Sequence, residues 1–365
     1  MYFAPMLSLK RLTLVQFRNY IHQQFEFNRR IIGIVGPNGT GKTNILDALY
    51  YLSFTKSYFS RPDAQNVHHA HQGMRIEGLY DFEDNDLAIT CILRENLKKE
   101  FYFDETPYAK LSQHIGKVPC VMIAPDDVQI ITGTSEERRR LMDGLLSQLY
   151  PAYLHHLIQY NKIIVQRNSY LKQAAENGLY DNIIIEAFNE QLIHHGVIIF
   201  DYRNELLNKL LPQILSLYSY LAGKQDDIHI QYQSTLSNGN YRQQLLDVFQ
   251  KDMAVQRTSV GIHKDDLIIT IQGQSFKQEA SQGQRKSLLF AIRLAEWTFL
   301  KNEKQRSPIL LMDDIFEKLD EQRMVQLLDW VNQHTDGQVF ITDTHKDRVE
   351  QLLSKHVVDF QLIQL

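Results

Sequence analysis

The chain has 365 residues, 44% of them hydrophobic and 22% charged, with a formal net charge of −4. Such a length buries a sizeable core in two domains or in one elaborated domain. The slight negative balance excludes a protein clothed in positive potential, so a nucleic-acid surface has to be a local patch. The most apolar stretch, residues 182–200 (NIIIEAFNEQLIHHGVIIF), carries two glutamates and two histidines, which reads against a membrane span. No charged-then-apolar leader is visible, so the cytoplasm is the expected location. Cys91 and Cys120 stand among apolar, strand-like neighbours and are expected to be buried free thiols.

Residues 7–17 (LSLKRLTLVQF) alternate apolar and polar positions, and with QFEFN and RRIIGIVG they predict paired strands. A glycine-rich loop and a helix, TNILDALYYLSF, follow. MRIEGLYDF, DLAITCILRE, KEFYFDE and KVPCVMIAP continue as strands of a mixed sheet. Near Asp126 the texture becomes helical, with Leu141, Leu145 and Leu149 at four-residue spacing. Three or more helices over roughly 85 residues make a compact lobe, short of a coiled-coil arm, at about 1.5 Å per residue. DIHIQYQSTL and DDLIITIQGQSF return to strand, and the last part runs helix, PILLMDD, helix, GQVFITD, helix. The expected architecture is α/β, with a head in two parts, 1–125 and 256–365, and a mainly helical lobe over 126–255.

Residues 36–43 (GPNGTGKT) match G-x-x-x-x-G-K-[ST] between an apolar strand and a helix, the context that gives the motif its meaning. Gly36, Gly39 and Gly41 leave backbone N–H groups free to curl around phosphate, with Pro37, Asn38 and Thr40 completing the loop. Lys42 reaches the β- and γ-phosphates, and Thr43 offers its hydroxyl to Mg²⁺. PILLMDD supplies the acidic strand: Asp313 serves the metal through water and Asp314 orients the attacking water. Asp314 is a methylene shorter than glutamate, so slow turnover is expected. Asp320, at the end of FEKLD, either caps the next helix or meets a partner subunit.

Residues 279–289 (EASQGQRKSLL) raise a separate question. Ser281 and Gln284 have capping-box spacing, yet Gly283 in a first helical turn costs roughly 0.5–1 kcal/mol relative to alanine. Ser281, Gln282, Gly283 and Gln284 at a helix start form a second anion loop, with no Cβ at Gly283 to obstruct an oxyanion. Each anion loop begins its own helix, so two subunits face to face are expected, one covering nucleotide held by the other.

The phosphate loop, SQGQ and LLMDD in this order resemble the ABC-type ATPase heads, which include SMC and recombination-repair proteins. LTLVQFRNY, APDDVQIITGTSEERRRLMD, VGIHKDDL, SQGQRKSLLFAIRLAE and LLMDDIFEKLD are closely similar to the RecF family of bacterial recombination mediators, over almost the whole chain. That resemblance implies an ABC/SMC-type head with an inserted helical lobe, and ATP and Mg²⁺ as cofactors. It further implies a weak, DNA-stimulated ATPase and an ATP-dependent homodimer on double-stranded DNA or single-strand/double-strand junctions. RecR and RecO are the implied partners in loading the recombinase RecA at gaps, as part of DNA repair, replication and the response to damage. Arg18 and Asn19 in FRNY match positions where related heads contact nucleotide. Ala280 stands where transporter signatures have leucine, and Glu317 replaces the serine common three residues before Asp320. The switch position after the last strand falls on Asp343, Thr344 or His345.

Arg138, Arg139 and Arg140 in EERRR are either phosphate contacts or a solvated face paired with the two glutamates, and Lys264 matches a basic position of the family. Asp265 and Asp266 are expected in internal ion pairs or turns. His68, His69 and His71 lie in a polar loop with no cysteine or carboxylate at ligand spacing. The doublets His155–His156 and His194–His195 read as surface and edge positions of helices. A transporter subunit, a helicase and a nuclease-associated head are the competing readings. The long separation of the two anion loops opposes the first, SQGQ the second, and the short helical lobe the third.

Overall fold

In the first strand, β1 (Leu7–Phe17), the buried side chains are Leu7 and Leu9, then Leu12, Leu14 and Phe17. The phase of burial changes because the register against its neighbour shifts between Leu9 and Arg11, and a bulge turns every later side chain to the other face. Gln338 serves the backbone left open there. Its amide accepts from Leu9 N at 2.6 Å and donates to Leu9 O at 2.9 Å.

The computed structural model describes residues 7–59, 62–82, 85–316, 320–357 and 359–365. After β1 come β2 (Tyr20–Glu26), β3 (Ile31–Val35), α1 (Lys42–Phe54), β4 (Met74–Phe82), β5 (Asn85–Leu93), β6 (Lys99–Phe103), β7 (Thr106–Pro107) and β8 (Cys120–Ile123). Then follow α2 (Gln129–Thr132), α3 (Ser135–Leu149), α4 (Pro151–Asn177), α5 (Asn182–Ala222), β9 (Ile228–Gln233), α6 (Tyr241–Asp247) and α7 (Phe249–Val255). The chain continues through β10 (Asp266–Ile271), β11 (Gln274–Ser275), α8 (Phe276–Glu279), α9 (Gln282–Lys304), β12 (Ile309–Met312), α10 (Glu321–His334), β13 (Val339–Asp343), α11 (Lys346–His356) and β14 (Phe360–Gln364).

Two compact units result. One comprises Met1–Asp127, Ser216–Gln225 and Gln282–Leu365, the other Val128–Leu215 and Asp226–Ser281. The boundary expected at 255/256 therefore lies at 281/282. The reason is pairing: β10 is hydrogen-bonded to β9 on one edge and β11 on the other, so this hairpin belongs to the sheet of the second unit.

The first unit holds two sheets where the sequence predicts one mixed sheet. An antiparallel sheet has the order β2-β1-β4-β5-β6-β7, and a parallel one the order β14-β3-β13-β12-β8. β3, β8, β12 and β13 are buried throughout, as expected of parallel strands covered on both faces. Helix α1 shares one core with both sheets, packing Ile45, Leu49 and Leu52 with Leu9 and Ile76 of one and Ile34 and Phe340 of the other. Cys91 and Cys120 are buried free thiols. Arg293, also buried, donates to Asp127 Oδ2 at 3.2 Å, Glu296 at 2.8 Å and the Tyr58 hydroxyl at 2.6 Å.

The second unit is mainly helical, with the three-stranded sheet added. Pro151 sits at the start of α4, where a missing N–H is harmless, and Gly178 (φ 68°) ends that helix. Helix α4 has 27 residues and α5 has 41. Tyr153 meets Tyr202 and Tyr170 meets Phe188, so the two helices run antiparallel. By length and composition alone α5 could cross a membrane. Its Ile185, Leu192, Ile199 and Leu206 are nevertheless buried at seven-residue spacing, and Glu186 and Glu190 pair with Arg242.

Arg167 and Asp252 form a fully buried ion pair at 2.7 Å in this unit. The other Asp252 oxygen accepts from Ser259 N at 3.0 Å and Ser259 Oγ at 2.6 Å. Breaking a buried pair from one side leaves a charge stranded, whereas replacing both members can be nearly neutral. Asp252→Ala is therefore expected to cost about 3–5 kcal/mol, and the double change Arg167→Met, Asp252→Leu much less. Urea unfolding of the two variants checks this; equal losses would contradict it.

Candidate functional site

At the C-terminal edge of the parallel sheet, register brings three chain segments together. Val35 pairs with Asp343 across β3 and β13, and Met312 pairs with Ile341 across β12 and β13. The phosphate loop, Asp313 and Thr342 consequently emerge side by side, the position where open parallel sheets bind ligands.

The loop between β3 and α1 is built for an anion. Gly39 (φ 81°) and Gly41 (φ 110°) take left-handed conformations, and a Cβ at Gly41 would fall 2.5 Å from Asn19 Nδ2. Gly41 caps α1 with no side-chain hydrogen bond, so no side chain competes for the helix-start N–H groups. Thr40 folds inward, its hydroxyl donating to Pro37 O at 2.9 Å. Lys42, buried, donates its ammonium to Gly36 O at 2.7 Å and Pro37 O at 3.0 Å. Asn38 is exposed on the loop.

Asp313 closes the site from β12. Its Oδ1 accepts from Thr43 Oγ1 at 3.0 Å and Thr342 Oγ1 at 2.7 Å, and Thr342 Oγ1 in turn accepts from Asp314 N at 2.9 Å. Burial pushes the Asp313 carboxyl up to about 6; the Asp314 charge adds to the rise, and the threonine hydrogen bonds and Lys42 oppose it. A hydroxyl and a carboxylate this close form a hard-oxygen pair that suits Mg²⁺. Asp314 follows with φ 44°, an uncommon conformation for a non-glycine residue.

Arg18 and Asn19 brace the loop from the turn between β1 and β2. Asn19 donates to Thr40 O at 3.0 Å and accepts from Asn44 at 2.7 Å. The Arg18 guanidinium, nearly buried, is ion-paired with Asp47 of α1 and donates to Asn44 Oδ1 at 2.8 Å and Ser57 Oγ at 3.0 Å. These three partners lie on and after α1, so Arg18 helps hold that helix against the turn. Ser57, Asp47, Thr342 and Arg348 escaped the sequence reading. Of these only Thr342 left a trace, the polar end of the apolar run VFITD.

The residues after β13 are now distinguishable. Asp343 is fully buried and accepts from Arg348 Nη2 with both oxygens, at 2.7 and 2.6 Å, and from His345 N at 2.7 Å. The Thr344 hydroxyl lies 2.7 Å from His345 Nδ1, and the His345 side chain is exposed.

In the signature tetrad, Ser281 directly precedes α9, and Gln282 opens it. Both are exposed, while Gly283 and Gln284 are half-buried. A Cβ at Gly283 would sit 3.0 Å from two guanidinium nitrogens of Arg323, whose Nε donates to Ser287 Oγ at 2.9 Å. Gly283 thus makes room for an arginine of the same chain, a contact that sequence spacing does not reveal. Asp320 caps α10 by accepting from Arg323 N at 3.0 Å and pairs with the Arg323 side chain, so the capping reading of this residue is correct. Glu317 lies outside the described residues.

Of the basic candidates, Arg138 is ion-paired with Asp266 and donates to Ile130 O at 3.2 Å, and Arg139 donates to Asp265 O at 2.7 Å. Both make contacts inside the second unit, Arg138 through an ion pair and Arg139 to a backbone carbonyl. Asp265 pairs internally with Arg203. Arg140 is exposed and paired with Glu136 and Glu137, and Lys264 is exposed.

A sequence profile described as the RecF/RecN/SMC N terminal domain matches residues 8–361. The chain is 40% identical over 359 residues to the DNA replication and repair protein RecF of Flavobacterium johnsoniae, spanning 98% of this chain and 100% of that one. It is 37% identical to the protein of the same name from Parabacteroides distasonis, over 98% and 97% of the two chains. A solved structure of the recombination mediator protein RecF with ATP, in the RecFOR pathway, superposes with a TM-score of 0.87 at 26% identity, over 95% of this chain and 94% of that one. An Smc head domain from Pyrococcus furiosus shares the fold, with a TM-score of 0.54 at 14% identity. The chain belongs to the RecF family.

Proposed function

We propose that this chain is an ATP-switched DNA-binding protein of replication and recombinational repair, active as a homodimer in which each nucleotide is closed over by the partner copy. The observation that carries the reading is the Thr43–Asp313–Thr342 contact beside an uncapped helix start. That a relative was solved with ATP supports ATP as the nucleotide. Lys42 turns from the loop carbonyls to the β- and γ-phosphates. Thr43, directly, and Asp313, through water, would hold Mg²⁺, which would neutralise phosphate charge when bound, and Asp314 would orient the attacking water. The exposed Ser281 and Gln282 are presented to a second copy. Hydrolysis is slow and stimulated by DNA, so ATP acts as a timer. Arg140 and Lys264 contribute DNA phosphate contacts, the exposed pairs of Arg140 being weak enough to exchange for phosphate. RecR and RecO are the partners, RecA is loaded at gaps, and the protein is cytoplasmic.

Light scattering and DNA binding test the dimer. ATP should double the mass of the wild type, leave Lys42→Met monomeric, and leave Ser281→Arg monomeric although it still binds ATP. DNA affinity should rise with ATP only where the mass does, and fall with salt with a slope of about 0.9 per phosphate neutralised. A wild type that stays monomeric with ATP and binds DNA regardless of nucleotide would overturn the proposal.

The raised Asp313 carboxyl makes metal binding pH-dependent. The folded, metal-free chain holds a proton that the unfolded chain releases near 3.8, so this group's contribution to stability falls as pH rises toward about 6. Mg²⁺ competes with that proton. The Mg²⁺-dependent tightening of a fluorescent ATP analogue should therefore grow about tenfold per pH unit below about 6, level off above it, and vanish in Asp313→Asn. A flat profile across that range would contradict the role given to Asp313.

A further inference from the structure

We propose that His156, His194 and His195 form a binding site for a divalent transition metal of the zinc class on the α4–α5 hairpin, separate from the nucleotide site. The three rings come from two helices and place one ligand nitrogen each within 4.8 Å of all the others. His156 Nδ1 and His195 Nδ1 approach to 2.8 Å. Two ring nitrogens at that distance share one proton, one donating and the other accepting. A cation taking the place of this proton binds both.

The rings are held where they are by the hairpin. Tyr153 packs on Tyr202 to one side of the cluster and Tyr170 on Phe188 to the other, fixing the register of the two helices. Gly196, next to His195, is packed so tightly that a Cβ would lie 3.0 Å from Tyr241 and 3.2 Å from Tyr160. His156 and His195 are half-buried and His194 is exposed, which leaves a route for an ion and a water to complete the shell. Each ring nitrogen ligates in its neutral form.

Tetrahedral zinc with Zn–N near 2.0–2.1 Å sets its nitrogens about 3.3 Å apart, between the 2.8 and 4.8 Å found here, so side-chain rotation alone closes the site. An all-imidazole set suits zinc, cobalt, nickel or copper and not Mg²⁺, which takes oxygen ligands. Binding would pin α4 to α5 about a third of the way along α5.

Cobalt(II) titration of the untagged full-length chain tests this. A single equivalent should develop the intense visible bands of a tetrahedral site, and zinc should displace it. His156→Gln and His195→Gln should each weaken binding by at least the roughly tenfold that loss of an outer-shell partner produces, with ATP binding unchanged and His68→Gln behaving as wild type. His194→Gln, at an exposed position, should weaken it likewise and keeps the test open if a half-buried substitution unfolds the lobe. Absence of a tight equivalent in the wild type, or unchanged affinity in the three variants, would overturn the proposal.

Discussion

A carboxylate buried at the end of β12 is the constraint on which the site depends. Asp313 is 3% exposed, and a charge held there without partners would be driven to its neutral form. Thr342 and Thr43 supply the hydrogen bonds, both from the same side of β12, Thr342 on the adjacent β13 and Thr43 beyond the end of β3, and they reach Asp313 only because β12 and β3 flank β13 in the right register. A slip of one residue in either pairing would turn these side chains to the opposite face. The order of the parallel strands is therefore a requirement of this constellation as well as a packing solution, and the continuous apolar runs of β3, β12 and β13 enforce it by burial on both faces.

The second anion loop rests on a different contact. Gly283 accommodates the Arg323 guanidinium, Arg323 is held by Asp320 and Ser287, and Asp320 caps the helix that carries Arg323. This closed set ties the start of α9 to the start of α10 within one chain. The glycine thus answers an intramolecular need and leaves Ser281 and Gln282 exposed next to it.

Motifs that are contiguous in sequence were legible. GPNGTGKT and MDD fall where their local context places them, because a strand, a glycine turn and a helix start are determined within a few residues. Long-range partners were not. Arg18 and Asn19 were assigned to nucleotide from the resemblance of FRNY to the family motif, whereas Asp47, which pairs with Arg18, is recognisable only once α1 is packed. Arg138 and Arg139 were open between phosphate contacts and a solvated face paired with the two glutamates, and the partners they have in the fold, Asp266 and Asp265, lie more than a hundred residues away. The unit boundary moved because β10 is no less amphipathic for pairing with β9 than with the sheets of the head. The histidine doublets looked like helix edges because the facing of α4 and α5 is a tertiary fact.

The central claim is that each ATP is completed by two chains, one giving the phosphate loop and the other the signature tetrad. Mixing two defective chains tests it most directly. Lys42→Met lacks a working phosphate loop but keeps its tetrad, and Ser281→Arg has the reverse defect. Each alone should show little DNA-stimulated ATPase. Mixed in equal amounts they should recover activity, since a mixed dimer pairs the intact phosphate loop of one with the intact tetrad of the other. A mixture no more active than the sum of its separate components would contradict the account.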